Sequence, residues 1–166
     1  MARVGKTTTN ASRQPRSTTP PGPIAPYAWV RAIIAYARAT MPADRTILAL
    51  PAYGYDWSPH HPGVAIAARE APALAAGQGV APDWDRAQQE DTFSYGPRAH
   101  RHTVWYEPTA SSVERARLAA TAGLAGVAIW AAGDEDPGLW AALSPLERSA
   151  IPDDRRRVRW GAWPGR

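Results

Sequence analysis

Between residues 27 and 40 the apolar positions recur every three to four residues, with Trp29 or Val30, Ile33, Ile34 and Ala37 on one face. That spacing predicts a helix. Pro26 suits its first position, where the missing N–H has no helical partner anyway. Met41-Pro42-Ala43-Asp44 ends it, because proline disfavours helical backbone at the residue before it. Thr46-Ile47-Leu48-Ala49-Leu50 is apolar without alternation and is bounded by Pro51, which predicts a strand buried on both faces, as in a parallel sheet. Residues 63–78 are Ala-rich and read as helical, with Pro72 as a break. Residues 93–95 and 102–106 read as two strands of a hairpin around Gly96-Pro97. Ser111-Ser112-Val113-Glu114 fits a capping box, with Ser111 as N-cap and Glu114 three residues on. The helix it opens runs to about Ala122, and Gly123 suits the residue after its end. Residues 126–130 form a second short apolar strand, and residues 138–143 one or two helical turns. Strands alternating with helices predict a parallel α/β arrangement. Only two strands of its main sheet are visible, where a closed barrel needs eight.

The flanks differ from this body. Residues 1–22 are rich in Thr, Ser, Arg and Pro and have almost nothing to bury, so a disordered tail is expected there. Residues 147–166 read as a basic, frayed tail, leaving an ordered region at 23–146. The net charge of +4 belongs to these ends. Residues 1–19 hold four bases and no acid, and residues 147–166 hold six Arg against three acids, so residues 20–146 carry −3. A basic tail touches phosphates without specificity, and no basic recognition motif occurs in the body, so no specific nucleic-acid partner is expected. No apolar run is long enough to cross a bilayer, and the N-terminus has no apolar signal core. There is no Cys, which rules out disulfides and thiolate zinc sites. His100 and His102 would share a face if they lay on one strand, but no acidic ligand is fixed beside them, and no metal site is expected. Eight Trp in 166 residues is many; such rings fill cores or serve as flat platforms for sugars.

Three segments in order carry a resemblance. They are Pro51-Ala52-Tyr53-Gly54-Tyr55-Asp56-Trp57 after the first strand, His102-Thr103-Val104-Trp105-Tyr106-Glu107 before the Ser-rich helix start, and Gly123-Leu124-Ala125-Gly126-Val127-Ala128-Ile129-Trp130 continuing to Gly133-Asp134-Glu135-Asp136 and Trp140. Together, over residues 21–143, they resemble the last quarter to third of family 18 glycoside hydrolases, nearest the branch of spore-cortex and cell-wall N-acetylglucosaminidases, with chitinases as wider relatives. The resemblance implies a partial (β/α)8 barrel with a small α+β insertion at about residues 58–106. Residues 46–53 would be its seventh strand and residues 126–130 its eighth. It implies no cofactor and no catalytic metal, and a polymer of β-1,4-linked N-acetylglucosamine, chitin or peptidoglycan, as partner. The resemblance implies a family that usually works outside the cell or at the wall or spore, and the sequence itself assigns no compartment.

The resemblance also implies a mechanism that this sequence lacks the means to perform. In the family the N-acetyl oxygen of the sugar attacks its own anomeric carbon while a Glu protonates the leaving oxygen, an exception to the two-carboxylate scheme. That Glu lies in an Asp-x-x-Asp-x-Asp-x-Glu segment on strand four. The spacing does not occur here, nor does the Met-x-Tyr-Asp element of strand six. Asp134-Glu135-Asp136 has the wrong pattern and reads as a solvated loop capping the helix near Gly138. No catalytic residue is assigned. Substrate contacts are expected at Trp130, as a platform under the sugar or else a core ring; at Tyr53 and Tyr55, on the rim where barrel sites lie; and at Asp56, on sugar hydroxyls or holding its turn. Trp105 and Tyr106 are expected to pack the hairpin. Three functional classes follow: part of a glycosidase, truncated or frame-shifted and inactive alone; a noncatalytic sugar-binding or partner-dependent module; or an interaction protein acting through its basic tails.

Overall fold

A computed structural model of the chain describes the backbone of residues 7–10 and 20–150 and the side chains of residues 20–146. In order, its elements are β1 (Thr7–Asn10), α1 (Tyr27–Thr40), β2 (Thr46–Pro51), β3 (Tyr53–Trp57), β4 (Val64–Ala67), α2 (Ala71–Gly77), β5 (Asp83–Asp85), β6 (Glu90–Tyr95), β7 (His102–Tyr106), α3 (Thr109–Thr121), β8 (Gly126–Trp130) and α4 (Leu139–Ala150).

The main sheet has three parallel strands in the order β1-β2-β8. Thr46 of β2 stands opposite Thr7, and Pro51 opposite Trp130. Leu48 and Leu50 point into a core with Val30 and Ile34 of α1 and Ala119 of α3. Each large side chain buried there contributes about 1.5–3 kcal/mol. Leu48 and Leu50 are fully buried, while Ile47 and Ala49 alternate with them and cover differently. The expected two-faced burial is therefore complete on one face only. Helix α3 ends as read: Gly123 takes φ +71°, the Gly123 N–H donates to Ala120 O, and the Leu124 N–H donates to Ala119 O. This pair of bonds closes the helix on a left-handed residue, which glycine adopts without strain.

The second sheet is antiparallel, in the order β4-β3-β7-β6-β5, and holds α2 against its face through Ala71, Ala75, Phe93, Val104 and Tyr106. The β6–β7 hairpin is as expected, with Tyr95 opposite His102. Strands β3 and β7 approach so closely at Gly54 that a Cβ there would overlap the Trp105 carbonyl and the Tyr106 Cβ.

Four expectations need correction. The disordered tail at 1–22 contains a strand at Thr7–Asn10. Three consecutive β-branched threonines suit extended backbone, and the ladder with β2 supplies the partner that the segment itself lacks. The remaining residues of that tail below 20 lie outside the described residues. The helix read over 63–78 begins only at Ala71; Val64–Ala67 is a strand paired with β3. Ser111 does not cap α3, which starts at Thr109; Ser111 is buried inside it and its hydroxyl donates to Gln89 O at 2.5 Å. Finally, α4 continues beyond 144 to Ala150, because Leu139, Leu143 and Leu146 keep packing on α3. Residues 151–166 of the expected basic tail lie outside the described residues.

The observed class is mixed α/β. The main sheet is open: among the described residues neither β1 nor β8 has a partner on its outer edge. No described helix is long and apolar enough to cross a membrane.

Candidate functional site

The C-terminal ends of β2 and β8 form a rim. The Ala52 N–H donates to Trp130 O at 2.7 Å, the Ala68 N–H to Ala52 O at 3.0 Å, and the Arg69 N–H to Asp134 O at 3.1 Å. These bonds knit the end of β8 to the start of the antiparallel sheet. The Arg69 guanidinium sits between two carboxylates, 3.3 Å from Glu70 and 3.8 Å from Asp134. All three are exposed, so these pairs stabilise little.

Trp130 emerges from this rim 69% exposed. The Trp130–Ala131 peptide is cis. Tyr53, Tyr55 and Trp57 alternate along one face of β3, with ring centroids 5.9 Å and 5.5 Å apart in turn. Tyr53 and Tyr55 are half-buried and Trp57 is buried. The three rings support one another from the rim inward.

Asp56, on the opposite face of β3, is engaged inside the antiparallel sheet. Its carboxylate accepts the Tyr95 hydroxyl at 2.6 Å and contacts His102 Nδ1 at 2.9 Å. Tyr95 and His102 stack with centroids 4.5 Å apart. Burial and the Asp56 carboxylate push the Tyr95 hydroxyl above the usual phenol range. His100 lies in a 3₁₀ turn at residues 98–100 rather than on the strand with His102. Among the described residues no group of acids and histidines could hold a metal ion.

The acidic loop after β8 is occupied with its own geometry. Glu135 accepts the Gly133 N–H and, at 2.9 Å, the Trp140 indole N–H. Backbone N–H groups and that indole hold its carboxyl below the usual range. Asp136 caps the start of α4 through the Gly138 N–H at 2.9 Å. Tyr106 packs edge-on against Phe93, with centroids 6.3 Å apart, as expected of a hairpin residue.

Sequence reasoning missed a buried cluster beneath the rim. Arg115 Nη2 lies 3.0 Å from Glu90 and 3.1 Å from Glu107, and all three side chains are sealed from water. Glu90 also accepts the Ile24 and Ala25 N–H groups, both at 2.7 Å. The Arg115–Glu107 contact is electrostatic, since its angles fall outside a hydrogen bond. Burial pushes Glu107 well above a carboxylate's ordinary value; Arg115 opposes that and Glu90 adds to it. Burial also raises Glu90, again opposed by Arg115. The available signal was position: Ser111, Ser112, Arg115, Ala116 and Ala119 share the inner face of α3, so an arginine there must be buried and matched.

The model of the family described as glycosyl hydrolases family 18 matches residues 7–136. A cortical fragment-lytic enzyme of Bacillus subtilis is 30% identical over 131 residues, covering 75% of this chain and 30% of that protein. A chitinase crystal structure from Chromobacterium violaceum superposes with a TM-score of 0.76 at 33% identity, over 84% of this chain and 44% of that one. The spore cortex-lytic enzyme SleL of Bacillus megaterium superposes with a TM-score of 0.74 at 28% identity, over 82% of this chain and 32% of that one. The chain spans about a third of the length of the curated relatives it matches, 37% and 30% for the first two. The family match begins at β1, earlier than the resemblance over 21–143 had placed it.

Proposed function

The chain belongs to family 18 of the glycosyl hydrolases, and from that premise we propose that it forms the sugar-contacting end of the family's (β/α)8 barrel. In this reading β2 and β8 are the seventh and eighth strands and β1 stands in the position of the sixth. The substrate is a polymer of β-1,4-linked N-acetylglucosamine, in chitin or peptidoglycan. Trp130 is the platform under a pyranose ring, Tyr53 lines the cleft beside it, and Tyr55 braces Tyr53. Asp56 works at one remove, because its carboxylate is already bonded to Tyr95 and His102.

One observation carries the reading: an indole 69% exposed at the C-terminal end of a parallel strand. Barrel sites lie at that end of their strands, and water penalises an apolar ring left bare without a ligand to cover it. Titration of the chain with N-acetylglucosamine oligomers, followed by tryptophan fluorescence, tests it. A saturable change is expected, weakened at least about tenfold in Trp130→Ala, or about 1.4 kcal/mol. No change in the parent chain, or an identical one in the variant, would remove the proposal.

The 166 residues hold no Asp-x-x-Asp-x-Asp-x-Glu segment, so this stretch by itself turns over no substrate in our reading. The expected hydrolysis of chitin oligomers or peptidoglycan is that of a blank. Robust turnover would mean that an acid elsewhere does the work.

A second reading, a noncatalytic module completed by another chain, is favoured by the outer edges of β1 and β8, which have no partner among the described residues. Bare ladder edges invite strands. Mixing the chain with a polypeptide carrying the family's first five strands would generate hydrolysis if the reading holds, and none if it does not.

A further inference from the structure

At the far end of β3 from the rim, about 13 Å along the strand from Tyr53 by strand rise, a cavity of about 400 Å³ opens between residues 58–61 and the start of β7. It is lined by His60, His61, Arg101, Ser58, Thr103 and the edge of Trp57, with prolines completing it; the Thr103 hydroxyl also lies 3.3 Å from that of Ser94. Among the described residues no carboxylate lines it. The neighbouring Asp56 points its charge elsewhere, to Tyr95 and His102. Among the described residues, His60, His61 and Arg101 form no ion pair. This is a concentration of unmatched donors on a body whose residues 20–146 are net acidic. His60 sits in the left-handed region at φ 66°, uncommon for a side-chain-bearing residue. Such outliers gather at ligand-binding positions.

The dimensions and chemistry select a ligand class. The volume falls at the lower end of small-ligand sites, which suits one compact molecule rather than a polymer segment. A guanidinium fork matches a carboxylate in two parallel hydrogen bonds. Imidazole N–H groups and hydroxyls suit the alcohols of a sugar, while the prolines offer an apolar wall to its ring.

We propose that this cavity binds a carboxylate-bearing saccharide, with Arg101 on the carboxylate and His60, His61, Ser58 and Thr103 on the ring substituents. The site is separate from the Trp130 rim and stands or falls without it.

The test follows the histidine ring signals by NMR as the whole chain is titrated with N-acetylmuramic acid, N-acetylglucosamine and lactate. N-acetylmuramic acid is expected to shift the His60 and His61 rings saturably. The neutral sugar and the bare hydroxy acid are each expected to bind at least tenfold more weakly. Arg101→Ala, at an exposed position, should leave the circular dichroism unchanged and weaken N-acetylmuramic acid at least tenfold. Saturating N-acetylglucosamine oligomer should not displace it. The proposal is overturned by an absence of saturable binding. It is equally overturned by equal affinity for N-acetylglucosamine or lactate, by an unaffected Arg101→Ala, or by competition from the oligomer.

Discussion

Arg115 Nη2 stands 3.0 Å from Glu90 Oε1 with both side chains fully buried. The same guanidinium donates to Ala25 O at 2.6 Å and, through its other nitrogen, to Gln89 O at 3.1 Å. One side chain of α3 thus latches the segment before α1 and the turn before β6. Removing one member of a buried charge pair leaves the other unmatched in a low-dielectric interior, at a cost of about 3–5 kcal/mol. Arg115→Met is expected to lose that much in urea unfolding. A loss below about 1 kcal/mol would show that the latch contributes little.

The carboxyls in this cluster give the stability a pH dependence. Burial raises both Glu90 and Glu107 above the free value of 4.5. Their protonated forms are therefore favoured by folding. The stability they contribute is complete below about pH 4.5 and is lost as pH rises through the raised values. Glu107→Gln carries a neutral amide at every pH and should flatten that decline. Unfolding free energies measured from about pH 4.5 to pH 8 check it; parallel curves for parent and variant would refute the assignment.

Gly54 tests the closeness of β3 and β7. The atoms that a Cβ would meet there are backbone and the root of a side chain, neither of which can swing away. Gly54→Ala should therefore exceed the usual overpacking cost of about 1–3 kcal/mol. A thermal midpoint within a degree or two of the parent would contradict the packing described.

Tyr95→Phe removes one of the two groups that hold Asp56. A hydrogen bond to a charged acceptor contributes about 1.5–3 kcal/mol, and partial exposure points to the lower figure. Affinity for N-acetylglucosamine oligomers should stay as it was. A fall in affinity without loss of stability would assign Asp56 directly to the sugar.

Much of the fold is legible in single residues. Ile47 to Leu50 and Gly126 to Trp130 read as strands because each is short, apolar and punctuated by Pro or Gly. Gly123 reads as a helix terminus because little else accepts its backbone angle. Other features are set by partners distant in sequence. Thr7–Asn10 has no core of its own, and the ladder to β2, some forty residues away, makes it a strand. Val64–Ala67 lies in an Ala-rich run whose local preference is helical, and pairing with β3 overrides it. Ser111 looks like a cap because capping is a local rule, whereas its contact is with Gln89, on another element. At the candidate site, the position of Trp130 at the end of an apolar strand is legible in the sequence. The engagement of Asp56 was not, since Tyr95 and His102 are 39 and 46 residues away.

The outer edge of β8 has a consequence for how the molecule behaves in a test tube. Along Gly126–Trp130 the backbone groups that turn away from β2 have no described strand beside them, and the strand ends in a bare indole. Such an edge is a template that accepts whichever extended backbone reaches it first. In dilute solution water occupies it; at high concentration a second molecule arrives before anything else does. Self-association should therefore scale with concentration well below the temperature at which the core melts.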